Sequence, residues 1–464
     1  MKRREFIEKV LVVGGLACIQ PWQLLKMLNV KSIADAQRIV EQWDVEAEAS
    51  PLTKNYVTNA GTVLCDSRIS ALILSQQTGG NGTWQVSNNV DPLFLKDGAT
   101  NVLKIDVTGG SQASTYVLDW VINTTLLPIG NFTFPYHISS ILSGWSVDVL
   151  VAETSSYANR YIYGGSSTFP NDVQRIGWNF VVLDRATPTS TVGSPNPANT
   201  FQRVRIQLQS PANQSGTFYI GPVKINRRTR PKVVFTFDHA YTSHYTVAYP
   251  YLAARGLVGS IAVQTGGSNA PGTANNVTVA QLLEMQRVGW SMHSHSVNHP
   301  DLTSMSVSEA ISEMRTAQET LDTWRLTSGK KHVMYPGGTT NDAIDAGMIT
   351  LGYTSGSTTV DTVEKIWDGL VQPMRVRRQN ADSTITIGTM RSRIDSAIKY
   401  GACIVFYTHD IVNGVVDQND MEIATFQSLV DYAYRYHSGN VLDIVSMTEF
   451  INSFQTVRKQ KHAV

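Results

Sequence analysis

Two kinds of patterning divide this chain. From about residue 51 to 228, apolar and polar residues alternate, and clusters of Gly, Asn, Ser and Thr interrupt them. Leu103, Ile105 and Val107 are separated by Lys104 and Asp106, and Val204, Ile206 and Leu208 by Arg205 and Gln207. Val147, Val149 and Val151 form a third such run. A period of two buries one face of a strand and wets the other. Many short strands with frequent turn clusters predict antiparallel sheets packed as an all-β, jelly-roll-like sandwich.

Beyond the basic, Pro-ended stretch Asn226-Arg227-Arg228-Thr229-Arg230-Pro231 the pattern changes. Apolar runs at 233–237, 259–264, 290–295, 332–335, 403–408 and 441–445 predict buried strands. Between them, 244–255, 278–288, 306–326, 342–350, 385–400 and 421–437 predict helices. The helix from 306 is the best marked, because Ser306 and Glu309 form a capping box. Val307, Ala310, Ile311, Met314, Ala317, Leu321 and Trp324 then line one stripe. Strand-helix alternation predicts an α/β fold with parallel strands, whose chemistry gathers at the strands' C-terminal ends.

The N-terminus has a different character. Lys2-Arg3-Arg4-Glu5-Phe6-Ile7 resembles a twin-arginine export signal. The apolar run from Val10 to Ile19 is shorter than the roughly 20 residues a membrane span needs. Ala34-Asp35-Ala36 offers a small-x-small cleavage site. The expected division is an export segment at 1–36, a linker or helix at 37–50, the sandwich at 51–228, the α/β domain at 229–456 and a tail at 457–464. Export to the periplasm, cell surface or medium is expected, with no stable membrane span once the segment is removed. The alternative is a basic helix packed on the body of the protein.

Composition narrows the function. The 464 residues are 42% hydrophobic and 16% charged with a net charge of +1, which leaves no electrostatic footprint for nucleic acid. Cys18, Cys65 and Cys403 make no disulfide framework and no metal spacing. Trp84, Trp145 and Trp178 are candidates for sugar stacking, although core packing is the favoured reading for each. None of these patterns specifies an oligomeric state.

The candidate chemistry lies at predicted strand ends. Asp238 closes the run Val233-Val234-Phe235-Thr236-Phe237, and a carboxylate beside a metal can take a proton from water. His295 and His299 are four apart, like the two ligands of an H-x-x-x-H zinc site. His293, two residues before His295, points the same way in a strand. His409 closes another apolar strand and can protonate a leaving amine or alkoxide. Tyr335-Pro336-Gly337-Gly338 follows a third strand, where exposed backbone N–H groups can hold an oxyanion.

These residues, in this order, resemble the polysaccharide deacetylases, carbohydrate esterase family 4 or NodB-homology domain. Thr236-Phe237-Asp238-His239-Ala240 is similar to the family's T-F-D-D-G. His295-Ser296-Val297-Asn298-His299-Pro300 matches H-[ST]-x-x-H-P, Tyr335-Pro336-Gly337-Gly338 resembles Y-P-x-G, and His409 falls at the late histidine. The resemblance runs from about 231 to 455. It implies a distorted (β/α) barrel with fewer than eight full units. It also implies Asp238 as general base and His409 as general acid, with metal ligands His239, His295 and His299, an oxyanion contact near Tyr335 and Gly337, and an acetylated polysaccharide as substrate.

Three departures accompany it. His239 stands where the family has a ligand Asp, so either three imidazoles hold Zn2+ (or another divalent transition metal), or His239 cannot reach. Ala240 replaces Gly. Met334 stands where many members carry an Arg beside the base, and Arg375, Arg377 or Arg378 is the candidate substitute. The function implied is hydrolytic removal of acetyl groups, N-linked or O-linked, from a cell-envelope or extracellular polysaccharide. The alternative is a catalytically degenerate carbohydrate-binding surface or phage-tail component.

Overall fold

The computed structural model describes residues 57–453 apart from 60–61, 66–70, 73, 90–101, 139–143, 165–176, 227, 360–371 and 415–416. The expected export segment, the 37–50 linker and the tail lie outside the described residues. No helix among the described residues is long and apolar enough to cross a membrane.

The alternating region forms two large antiparallel sheets, beside a short pairing of Val57–Asn59 with Arg228–Thr229. One runs in the order Thr62–Cys65, Val223–Ile225, Asn131–Ile138, Gly216–Ile220, Val102–Thr108 and Thr83–Asn89, with Gly177–Asp184 also on Asn131–Ile138. The other runs Ser190–Val192, Arg160–Tyr163, Ser146–Ala152, Thr200–Ser210, Ser114–Thr125 and Leu74–Thr78. The alternating residues Leu103, Ile105 and Val107 meet Val147, Val149, Val151, Val204, Ile206 and Leu208 in one buried cluster. Period two thus becomes packing between the inner faces of a sandwich. Trp145 lies in that core, with Phe218 at 4.9 Å and Tyr116 at 6.3 Å, as the favoured core reading expects. Trp84 is half-buried against Tyr116. The side chain of Trp178 lies outside the described residues.

The second pattern becomes a parallel barrel. Its strands are β1 (Lys232–Asp238), β2 (Ser260–Val263), β3 (Ser291–Ser294), β4 (His332–Met334), β5 (Ser355–Thr359), β6 (Val376–Asn380), β7 (Cys403–Thr408) and β8 (Asp443–Ile444). β1 to β7 pair in sequence, and β7 pairs back onto β1, which closes the ring. β7 takes one whole edge of β1, from Lys232 to Phe237. On the other edge β8 takes Lys232 and Val233, while β2 takes Thr236 to Asp238. The eighth strand is therefore a two-residue stub, shorter than the expected 441–445 run, and the barrel is distorted as expected.

Alternation along β1 separates two cores. Val233, Phe235 and Phe237 pack outward with helix residues such as Leu252, Leu282, Ile394 and Phe426. Val234 joins Ala262, Met334, Val376 and Val405 in a separate inner cluster. The helices are α1 (Tyr249–Ala253), α2 (Val279–Arg287), α3 (Val307–Thr323), α4 (Asp342–Thr350), α5 (Ile387–Tyr400) and α6 (Ile423–Ser438). Capping boxes start α2 at Thr278/Gln281 and α3 at Ser306/Glu309. α3 buries Ala310, Met314, Ala317 and Leu321, while Val307 at its first turn is 36% exposed. The single helix expected at 244–255 is instead a π turn, His244–Ala248, followed by α1. Pro250 at the start of α1 has no N–H to donate, which explains the break.

Candidate active site

β1 delivers the first residues. The register Phe237↔Thr408 makes residues 238 and 409 leave adjacent strands side by side. Asp238 is 4% exposed, and Arg378 Nη1 on β6 lies 2.6 Å from its Oδ1. The same guanidinium lies 3.3 Å from Thr236 Oγ1 and 3.5 Å from Met334 Sδ, and over the Tyr407 ring. Burial opposes ionisation of Asp238. The Arg378 charge outweighs it and holds the carboxyl well below the usual carboxylate range. Of the three arginine candidates, Arg378 reaches the base. Arg375 instead bonds Asp345 at 2.6 Å and Asp342. Arg377, one residue along β6, projects to the opposite face from Arg378.

The chain then turns sharply. His239 and Ala240 have φ of 68° and 55°, a left-handed conformation that costs roughly 1–2 kcal/mol per residue with a Cβ. Three bonds hold the turn in place: His239 N to Ala262 O (3.0 Å), Asn276 Nδ2 to His239 O (2.5 Å) and Val277 N to Ala240 O (2.9 Å). The loop after β3 is similar, with Ser296 at φ 66° and His299 at φ 57°. Ser296 Oγ accepts from His299 N at 2.9 Å. Glu313 on α3 accepts from the amides of Val297 (3.0 Å) and Asn298 (2.6 Å). Backbone strain of this kind persists where surrounding contacts over-determine it, and it concentrates at functional sites.

The two turns bring three imidazoles together. Ring centroids are 5.0 Å apart for His239 and His295, 4.8 Å for His239 and His299, and 4.7 Å for His295 and His299. One nitrogen from each lies within 4.8 Å of the others. His295 Nδ1 donates to Met334 O at 2.7 Å, which leaves Nε2 buried with no hydrogen-bond partner among the described residues. Gln264 Oε1 lies 3.3 Å from His239 Nδ1 and orients that ring. Burial lowers the pKa of His239 to about 4, His295 well below the ordinary value and His299 below it. Neutral imidazoles offer lone pairs. A buried, unpartnered ring nitrogen between two other imidazoles fits a divalent transition ion, zinc foremost. The hydrogen bonds behind the rings are the kind that orient metal-ligating histidines.

The remaining candidates divide. His409 stacks on His239, with centroids 5.2 Å apart and planes at 25°. His293 does point the same way as His295, but one layer deeper. Its Nδ1 donates to Gly329 O at 3.0 Å and its Nε2 lies 2.8 Å from Ser291 Oγ, so it takes no part in the cluster. Tyr335 is fully buried; its hydroxyl donates to Asp345 and its amide to Ser357 O at 3.3 Å. Its expected oxyanion contact is corrected accordingly, because both of its donors are committed elsewhere. Gly337 is exposed at φ 61° in the turn that follows.

Three contributors have no local signal in the sequence, Gln264, Glu313 and His244, while Arg378 is one of three candidates that only the fold separates. Each of those three contributors acts on a residue at least fifteen positions away, so only the fold reveals it. Such an array can hold a cation, keep a carboxylate ionised and present a further imidazole, which is a set suited to hydrolysis at a strand-end barrel site.

Residues 226–356 match the family model of polysaccharide deacetylase, and the resemblance read from the motifs is borne out. The chain is 28% identical over 145 residues to the putative polysaccharide deacetylase YxkH of Bacillus subtilis (strain 168), covering 31% of this chain and 50% of that protein. It is also similar to the Streptococcus pyogenes deacetylase PplD in complex with acetate, at 34% identity over 31% of this chain and 63% of that one, with a TM-score of 0.28. A family 11 carbohydrate-binding module from Clostridium thermocellum matches 36% of this chain and 96% of its own length, at 9% identity and a TM-score of 0.26. The chain thus spans about half the length of the curated relative and under two thirds of the PplD chain.

Proposed function

We propose that this chain hydrolyses acetyl groups from an extracytoplasmic polysaccharide, with His239, His295 and His299 holding a divalent ion. The observation that carries this reading is the unpartnered, buried Nε2 of His295, grouped with His239 and His299 beside an arginine-held carboxylate. When bound, a zinc-like ion supplies Lewis-acid polarisation of a carbonyl and a lowered pKa for water. Asp238, ionised across the working pH range, takes the proton from the attacking water. His409 gives a proton to the departing amine or alkoxide as the C–N or C–O bond breaks. The backbone N–H near Gly337 faces the developing oxyanion. Acetate leaves, and the sugar keeps a free amine or hydroxyl. N-acetylglucosamine polymers are the leading substrates, with acetylated xylan second. The β-sandwich serves as a carbohydrate-binding tether, and the N-terminal segment directs export by the twin-arginine route.

The test is metal analysis of the purified protein followed by acetate release from chito-oligosaccharides and acetylated xylan. One equivalent of zinc with release that is lost on chelation supports the proposal. Stoichiometric zinc without turnover on any acetylated glycan replaces it with the carbohydrate-binding reading.

A further inference from the structure

His409 is held in an unusual way. An acid–base histidine is ordinarily oriented by a carboxylate or carbonyl on its second ring nitrogen. His409 Nδ1 is buried and has no hydrogen-bond partner among the described residues. What fixes this residue is its backbone. His244 is fully buried, and its Nε2–H donates to the His409 carbonyl at 2.6 Å. The neighbouring Ser243 Oγ donates to Asp410 Oδ1 at 2.5 Å and accepts from the Ile411 amide at 3.0 Å. Residues 243–244 thus grip three consecutive residues, 409–411, just past the end of β7.

The grip is itself rigid. His244 opens the π turn His244–Ala248, and π turns gather at functional positions. Its ring packs on Phe237 (5.2 Å) and Tyr241 (5.7 Å). It stands five residues after His239, so one segment carries the base, a metal-ligand candidate and the clamp on the acid. The two imidazoles that stack, His239 and His409, are therefore referenced to one another through residues 239–244 as well as through β1–β7 pairing.

We propose that His244 is a positioning residue: its bond to the His409 carbonyl, with Ser243 securing Asp410 and Ile411, sets where the His409 ring stands beside the histidine triad. The role rests on the deacetylase reading for its catalytic consequence, but the placement of His409 can be measured without turnover. His244→Phe keeps an aromatic ring against Phe237 and removes the donor. His244→Gln puts an amide N–H near the position of Nε2. In the zinc-loaded full chain, His244→Phe should lower kcat by roughly 10- to 100-fold, as displacement of about an ångström does, with KM and zinc content unchanged. His244→Gln should restore most of kcat. Ser243→Ala should give a smaller loss in the same direction.

Ring resonances of His409, assigned by comparison with His409→Gln, should move in His244→Phe and return toward wild type in His244→Gln. His295 resonances should stay in place in both. Unchanged His409 resonances in His244→Phe overturn the proposal whether or not the wild type turns over. So does an unchanged kcat in an active enzyme. If His244→Phe does not fold, the Gln and Ser243→Ala variants decide. A Gln variant as impaired as deletion of the acid, or a Ser243→Ala variant whose His409 resonances match wild type, contradicts the clamp. Loss of activity in the wild type itself, with the His409 shifts as described, removes the deacetylase reading and leaves the clamp standing.

Discussion

Arg378→Met removes the guanidinium and leaves an unbranched apolar side chain beside Met334. Asp238 keeps its burial and loses a partner 2.6 Å away. It then has two options. Remaining ionised and unpaired costs roughly 3–5 kcal/mol. Taking up a proton at pH 7, about three units above an ordinary carboxylate at about 1.4 kcal/mol each, costs about 4 kcal/mol. The cheaper option caps the loss, so the metal-free variant should be less stable by about 3–4 kcal/mol at pH 7, roughly 10 °C for a domain of this size. The pH dependence has a definite sign. Wild-type Asp238 has a depressed pKa, so its stabilisation is present above the ordinary carboxylate range and is lost as pH falls through the folded value. In the variant, burial raises the same carboxyl, and lowering the pH stabilises it relative to wild type. At pH 4.5 the gap should shrink to about 1 kcal/mol, because the protonation penalty is then under one unit. Thermal unfolding of chelator-treated wild type and variant at both pH values measures this. Adding Asp238→Asn to the variant should return more than half of the loss at pH 7, since the two sites couple. A loss below about 1 kcal/mol at pH 7, or an equal loss at both pH values, refutes the assignment of Arg378 as the counter-charge of the base.

Asp238→Asn should abolish acetate release while metal analysis still finds a full equivalent. His239→Asp restores the ligand type that the resembling family carries and should keep stoichiometric metal with at least part of the activity. Gln264→Leu removes the group behind His239 Nδ1 and should weaken zinc by roughly 10- to 100-fold in a competition titration with a chromophoric chelator. Burial lowers the pKa of His239, His244, His293, His295, His299 and His332. These rings are neutral in the folded chain and charge in the unfolded one below about pH 6.5. Melts of the metal-free protein should therefore show stability falling from pH 7 to pH 5; a flat profile contradicts buried neutral histidines.

Much of the barrel was legible because its strands are apolar on both faces, and such runs stand out against amphipathic helices. β5 was not, because Ser355-Gly356-Ser357-Thr358-Thr359 contains no apolar side chain to signal a buried strand. Its serines instead meet His332, at 2.9 Å for Ser355 and 2.7 Å for Ser357, and a buried polar strand of this kind is stable once its hydroxyls find partners. β6, whose arginines were only candidate partners for the base, is a buried strand, with Arg377 and Arg378 2% and 1% exposed. Arg378 can be there because Asp238 waits 140 positions earlier in the chain, which no local pattern records. Ala240 and His239 illustrate the opposite case. The sequence showed that a glycine was missing; the structure shows both residues adopting the left-handed turn, with Asn276 and Val277 locking it.

The central claim is that three imidazoles share one divalent ion, and X-ray absorption at the zinc edge of the loaded full chain, repeated with His239→Ala, tests it most directly. One zinc per chain with three imidazole nitrogens at about 2.0–2.1 Å is expected, falling to two in the variant together with a loss of affinity. Zinc absent from the purified and reloaded protein, or a coordination shell unchanged by removing His239, contradicts it.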